Sequence, residues 1–180
     1  MQVKGSMIID YVRLVRANKD RNWDDYLEDA DWEIIKNRVL PSSWYPYESC
    51  RRIGLAVFKE IAQSDHATTK IFGRFVGRNL IEIYAHILHE NDPVTSIETL
   101  CGMNRAFSDG DMGIELLDKG DNHVKIRFAA PEEDNREFME AFCSQIVGIY
   151  EELVDQAGGN NVTSSSELIG KRCDFFINWE

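Results

Sequence analysis

Three side chains that can bind a divalent metal recur at helical spacing: Glu82, His86 and His89. Residues three and four apart share one side of a helix, and imidazole together with carboxylate is a ligand set for zinc or iron. Metal centres between helices take ligands from two facing helices, and no matching second set is evident in the sequence. A polar, solvated helix face is the simpler explanation, so we predict no metal site.

The four cysteines, Cys50, Cys101, Cys143 and Cys173, contain no Cys-x-x-Cys pair. This spacing argues against a zinc knuckle and against a thioredoxin-type redox motif. Cys143 can approach Cys173 from the preceding helix, but two thiols without further ligands do not complete a zinc site. We expect the four thiols to be small, buried hydrophobic groups.

Sequence motifs for catalysis are missing. The chain has no Gly-x-Ser-x-Gly elbow, no Gly-x-Gly-x-x-Gly or phosphate-loop run, and no His-Glu-x-x-His. Its acidic clusters fall at predicted helix starts or in loops, where capping and solubility explain them. We predict that the protein is not an enzyme and has no catalytic residues.

Six aromatic residues fall where the predicted helices should face a sheet, and they are candidates for the lining of a ligand pocket: Phe58, Phe72, Phe75, Tyr84, Phe142 and Phe175. Ligand sites are mostly apolar, so this pattern predicts an enclosed cavity of about 300 Å³. The alternative is that the rings fill the core at normal packing density. The sequence leaves both interpretations open.

A second aromatic group consists of Trp44, Tyr45 and Tyr47, near a predicted turn. Trp and Tyr dominate the energetics of protein interfaces. With a filled core, these residues would form an interaction surface for a homodimer or a signalling partner protein. The alternative is that they dock the loop onto its own domain.

Composition limits the class of protein. The chain has 180 residues, 43% of them hydrophobic, and a net charge of -11. An acidic surface repels phosphate, so nucleic acid and membrane surfaces are not expected partners. No apolar run reaches the about 18 residues of a membrane helix, and the start lacks a secretory signal. We predict one cytoplasmic domain covering residues 1–180.

The elements follow from the apolar spacing, which changes at residue 108. Before it the period is helical and predicts five helices, at about 8–15, 32–40, 46–61, 69–90 and 92–107. After it the period is two, and the elements are a hairpin (112–116 and 124–128), a helix with an acidic start at 131–134 that ends near 157, and a second hairpin (161–167 and 172–179). The predicted fold class is α+β: a helical part, 1–107, then a β-β-α-β-β part, 108–180, whose four-stranded antiparallel sheet is covered by helices.

The last strand carries a family resemblance. Its pattern, Gly170-x-x-Cys173-x-Phe175-x-Ile177-x-Trp179, resembles the end of the ligand-binding domains of nitric oxide signalling and Golgi transport. This superfamily includes haem nitric-oxide-binding domains, vinyl-reductase-type sensor domains and transport-particle subunits. The segment 41–46, Pro-Ser-Ser-Trp-Tyr-Pro, is similar to a bacterial branch of it.

The resemblance implies a sensor-like domain that holds a hydrophobic or planar small molecule between helices and sheet. Haem-based gas sensing is the alternative: haem-binding relatives use a helical histidine and a Tyr-x-Ser-x-Arg motif, which we assign to no segment of this chain. Sensor relatives hold zinc with cysteines near the last hairpin, where only Cys173 matches. Transport-particle relatives bury an acyl chain, sometimes on a cysteine, for which Cys50 is the candidate although a packed core thiol is the preferred interpretation.

Overall fold

A computed structural model describes residues 1–110, 113–130 and 135–180, without the side chain of residue 104. The helices are α1 (Ile9–Ala17), α2 (Asp29–Lys36), α3 (Tyr47–Glu60), α4 (His66–Ile83), α5 (Pro93–Gly102), α6 (Asn104–Phe107) and α7 (Arg136–Gln156). The strands are β1 (Gln2–Lys4), β2 (Trp44–Pro46), β3 (Gly113–Gly120), β4 (His123–Ala129), β5 (Thr163–Ile169) and β6 (Arg172–Asn178). Predicted features at Met112 and at residues 131–134 lie outside the described residues.

The mixed helix and sheet class predicted from the sequence is confirmed, while several elements differ, including the predicted fifth helix (92–107), which is divided into α5 and α6. The long helix ends at Ile83 and not near residue 90, because Tyr84 leaves the helical conformation (φ -125°, ψ 61°) and a separate 3₁₀ turn, Ala85–Ile87, follows. Asp92 then caps α5 by accepting from the Thr95 amide (2.9 Å). A small antiparallel pair of β1 with β2 was not predicted. Strands of three residues are too short to show a period of two.

The chain divides into two compact units, residues 1–65 with 105–110, and residues 66–104 with 111–180. The predicted boundary near residue 108 places α4 and α5 with the helical part, whereas the structure groups both with the four-stranded sheet. That one domain covers 1–180 stays a prediction. Within the described ranges, no helix combines the length and the apolar composition needed to cross a membrane.

The four-stranded sheet of the second unit has the order β3-β4-β6-β5, with every neighbouring pair antiparallel. In β6 the side chains of Cys173, Phe175 and Ile177 share one buried face, as the alternation in sequence predicts. Phe128 of β4 pairs with Cys173, and Ile126 pairs with Phe175. Helix α7 covers this face, so the sheet has one buried side.

Helices α4 and α7 pack closely because glycines face backbone at their crossing. A Cβ at Gly73 would lie 2.1 Å from the Gln145 carbonyl oxygen, and one at Gly148 would lie 2.0 Å from the Lys70 carbonyl oxygen. Tight packing inside the fold is the role expected for the Gly73-x-x-x-Gly77 spacing. This contact fixes α7 between α4 and the sheet.

Candidate functional site

The six aromatic candidates for a ligand pocket are divided between the two units. Phe58, on α3, is buried in the first unit, and the other five belong to the second. Phe142 packs on the rings of Phe128 and Phe138, with centroid distances of 5.2 and 5.4 Å. Phe175 contacts Tyr150 at 5.5 Å. The rings of α7 and the sheet therefore interlock as a packed core.

The three remaining candidates lie on or after α4. Phe72 and Phe75 stack on each other at 6.2 Å, and Phe75 is 47% exposed. Tyr84 follows the end of α4, with its ring edge against His86. The structure thus places five of the six candidates in separate clusters of the second unit, and the role of all six in binding a ligand stays a prediction.

The interaction candidates lie at β2 and the start of α3, in the first unit. Trp44 is 41% exposed, and the Lys4 ammonium lies 3.9 Å from its ring centroid. The Tyr45 hydroxyl accepts a hydrogen bond from the Leu40 amide (3.0 Å), and Tyr47 begins α3. Trp44 offers an exposed face, whereas Tyr45 is held by its own domain. Their role in an interface stays a prediction.

None of the four histidine residues is buried. His86 is exposed in a 3₁₀ turn, and His66 is exposed with its ring near the Ser144 hydroxyl (3.3 Å). His89 contacts the Thr99 hydroxyl through Nε2 (3.1 Å), and His123 lies 3.6 Å from Asp118. Among the described residues, no cluster of three metal-binding side chains occurs.

The motif Tyr-x-Ser-x-Arg does occur once, at Tyr47, Ser49 and Arg51. The expectation that the chain lacks it is therefore wrong. These residues begin α3. Tyr47 and Arg51 are four apart and share one face of the helix, whereas Ser49 points to the opposite side. Ser49 is buried and hydrogen-bonds Asp31, while the Arg51 guanidinium donates to Glu48 (2.9 Å). The three side chains therefore do not converge on one group.

The cysteines are free, and three of the four are buried. Burial raises the pKa of Cys50 to about 12 and that of Cys101 to about 11. The hydrogen bond with Cys173 raises the pKa of Cys143, which places these two thiols side by side as the sequence suggests. The same hydrogen bond lowers the pKa of Cys173, against the effect of its burial. Neutral thiols are poor nucleophiles and poor metal ligands, so Cys50 and Cys101 are not activated.

A buried carboxylate on α7 ties this helix to α4. Glu152 is fully buried and accepts hydrogen bonds from Arg74 Nε (2.9 Å), Arg78 Nε (2.6 Å) and Gln156 Nε2 (3.1 Å). Burial alone raises the pKa of Glu152, but these bonds outweigh it and hold the pKa below its ordinary value. The sequence does not reveal this group, because its partners are distant along the chain.

The first unit contains a groove of about 360 Å³, which we call the arginine groove. One wall is α1 and the other is the segment after α2; the lining residues are Ile9, Val12, Arg13, Arg16, Arg38, Val39, Leu40 and Pro41. The α1 members recur at intervals of three or four residues, which is the spacing of a helix face. That spacing is visible in the sequence, but the opposing wall is not.

Comparison with known proteins begins with sequence. No protein-family model matches the chain, and no curated protein matches it.

Comparison of structures finds H-NOX proteins. An unliganded Fe(II) H-NOX mutant from K. algicida is 14% identical, with a TM-score of 0.62, covering 98% of this chain and 96% of that chain. An H-NOX protein from S. oneidensis in the Fe(II)NO state is 12% identical, with a TM-score of 0.61 and coverages of 98% and 99%. An oxygen-binding H-NOX domain related to soluble guanylate cyclases is 11% identical, with a TM-score of 0.61 and coverages of 98% and 95%.

At these identities the likeness shows the fold and nothing finer. It supports the haem nitric-oxide-binding type of fold among the relatives expected from sequence. The structures named above do not support a vinyl-reductase-type or transport-particle assignment. Fold alone does not determine a binding chemistry, so the site must be judged from its own residues.

Proposed function

We propose that this protein is a non-catalytic sensor-type domain, which binds a hydrophobic or planar small ligand and signals to a partner protein. The supporting observation is the likeness to H-NOX structures over 98% of the chain. The buried carboxylates Asp31 and Glu152 are paired with arginines, and burial keeps the Cys50 thiol protonated, so none of these three groups suggests catalysis. A cytoplasmic location and a homodimer or signalling partner belong to the same proposal.

Haem-based gas sensing is the second candidate, and the comparisons favour it over a general apolar ligand. The structural neighbours are described as H-NOX proteins in unliganded Fe(II), NO-bound and oxygen-bound states. A haem iron takes an axial histidine, thiolate, methionine or tyrosine.

The described residues do not fit a haem held in that family's manner. The imidazoles lie at or near the surface, the Tyr-x-Ser-x-Arg side chains diverge around α3, and burial keeps the Cys50 and Cys101 thiols protonated. We therefore derive no step that involves iron. The ligand of the sensor-type domain is expected to be retained by apolar contact.

The test is to express the chain with a haem precursor in the medium, and to record its absorption spectrum and native mass spectrum. We expect no Soret band, and a non-covalently retained molecule in the mass spectrum. A Soret band that is lost on His86→Ala or His89→Ala would instead establish the haem alternative. The sensor function is contradicted if the purified protein shows no Soret band, retains no molecule and recovers no partner by co-purification.

A further inference from the structure

The arginine groove is a built feature that the proposed sensor function does not use. We propose that it binds a small organic anion with an apolar body, of the class of medium-chain carboxylates. The proposal concerns residues of the first unit alone and holds whether or not the protein carries haem. It rests on the charges of the groove, its apolar floor and its fixed walls.

The positive charge in the groove is largely uncompensated. Arg38 forms no ion pair with any residue in the described ranges. Arg13 reaches Asp10 through Nη1 (2.9 Å), while its side chain remains 60% exposed. Arg16 donates from Nε and Nη2 to the neutral carbonyl groups of Ile35 and Asn37. Among the described residues, the three guanidinium groups thus form one ion pair, that of Arg13 with Asp10, in a protein whose net charge is -11. An anion is the complementary ligand.

The floor between the arginines is apolar. Val12 and Val39 are almost fully buried, and Leu40 leaves 43% of its surface exposed beside them. A hydrated inorganic anion would leave the exposed part of Leu40 in contact with water, whereas an alkyl or aryl group would cover it. The groove volume of about 360 Å³ lies in the range of small-molecule sites. The ligand therefore combines a charged head with an apolar body.

The two walls are held in place at both ends. At one end the Arg16 guanidinium donates to the backbone carbonyl groups of Ile35, in the last turn of α2, and of Asn37, just after it. At the other, the Gly5 amide donates to the Ser43 carbonyl (2.8 Å) and the Ser6 amide to the Pro41 carbonyl (3.1 Å). A Cβ at Gly5 would lie 2.0 Å from the Leu40 carbonyl oxygen, so the walls meet directly. A preformed groove lowers the entropy lost on binding.

The guanidinium groups of the groove determine which charged head group the ligand carries. Its planar N–H donors match carboxylate and phosphate oxygens in pairs. Arg16 retains the N–H groups on Nη1, and Arg38 retains all of its donors with respect to the described residues. A carboxylate needs one such pair and leaves its alkyl chain free to lie on the floor, which is why we choose this head over phosphate.

The experiment uses the full chain, labelled with ¹⁵N, and four probes: octanoate, octanol, octylammonium and inorganic phosphate. We expect octanoate to shift the amide signals of Val12 and Leu40, and to bind more tightly than the other three. Raising the salt concentration should weaken it, since the attraction is electrostatic. Equal binding of octanol, or octanoate shifts confined to another part of the chain, would overturn the proposal.

Two variants test the arginines. Arg38→Gln removes a charge without removing a described contact, and should weaken octanoate binding about tenfold. Arg21→Gln is the matched control: Arg21 is also exposed in the first unit but does not line the groove, so its removal should leave binding unchanged. Both variants should keep the wild-type spectrum. Wild-type affinity in Arg38→Gln, or an equal loss in Arg21→Gln, contradicts the assignment.

Discussion

At the residue scale, Asp31 shows how strongly the surroundings of a carboxylate determine its pKa. Its carboxylate is fully buried, accepts from Arg52 Nε (2.7 Å) and Nη2 (2.9 Å), and caps α2 through the Glu28 amide (2.9 Å). Burial alone raises the pKa of Asp31, but these bonds and one from Ser49 hold it below its ordinary value. The sequence places Asp31 in an acidic cluster at a helix start, and capping is confirmed. Its partner on α3 is invisible to local spacing.

We expect Asp31→Asn to lower the free energy of unfolding by about 3–5 kcal/mol. The substitution keeps the shape of the side chain but removes the buried charge that pairs with Arg52, which is left with the exposed carboxylate of Glu28 (3.4 Å). Urea denaturation followed by circular dichroism measures the change. Asp29→Asn, at an exposed position of the same helix, should cost less than about 0.5 kcal/mol, and equal losses in the two variants would show that Arg52 does not depend on Asp31.

At the scale of elements, the crossing of α4 and α7 depends on glycines, which have no side chain. Gly73 and Gly148 each face a carbonyl oxygen of the other helix. The spacing of Gly73 and Gly77 predicts a close contact, because glycine allows two backbones to approach. The partner glycine on α7 cannot be predicted, since a helical pattern does not say which neighbour each residue meets.

Gly148→Ala should destabilise the protein by about 3 kcal/mol, because the added methyl group would overlap the Lys70 carbonyl and force the helices apart. Thermal unfolding in the calorimeter measures the loss. Gly102→Ala, at the end of α5, meets no atom within 4 Å and should be neutral or stabilising by up to about 1 kcal/mol. A neutral Gly148→Ala would mean that the helices can separate without cost.

Most elements were predictable because their apolar period persists over several turns or strand residues. The hairpins and the helix between them follow from the change of period at residue 108. The β1–β2 pair, the early end of α4 and the boundary at residue 65 were not predictable. Each depends on short segments or on contacts between distant parts of the chain. The arginine groove was not predicted for the same reason, although the spacing of its α1 residues is visible in the sequence.

At the scale of the whole molecule, the fold is similar to that of H-NOX proteins, although the sequences are only 11–14% identical. The aromatic residues singled out in the sequence are packed in separate clusters, and no histidine is buried. Backbone architecture tolerates such divergence, because many sequences fill one set of helices and strands. The acidic residues also make the stability of the protein depend on pH.

Asp31, Glu152 and Asp174 have lowered pKa values in the folded protein. Each therefore contributes stability above its unfolded pKa, near 4, and loses it as the pH falls through the lower folded value. We expect the free energy of unfolding to decline steeply below about pH 4. Urea denaturation across this range tests it.

The double variant Asp31→Asn with Glu152→Gln should show a shallower decline, measured in the same way. These substitutions remove two of the carboxylates that bind protons more weakly in the folded state than in the unfolded state. An unchanged slope would assign the acid sensitivity to other groups.

The position of β6 inside the sheet bears on how the protein is made. β4 is bordered on one side by β3 and on the other by β6, which is the last described strand to leave the ribosome. Until then β4 has an open edge that can pair with another nascent chain. The second unit therefore completes its sheet only after β6 has been synthesised, and a message truncated before residue 172 would yield a product prone to aggregate.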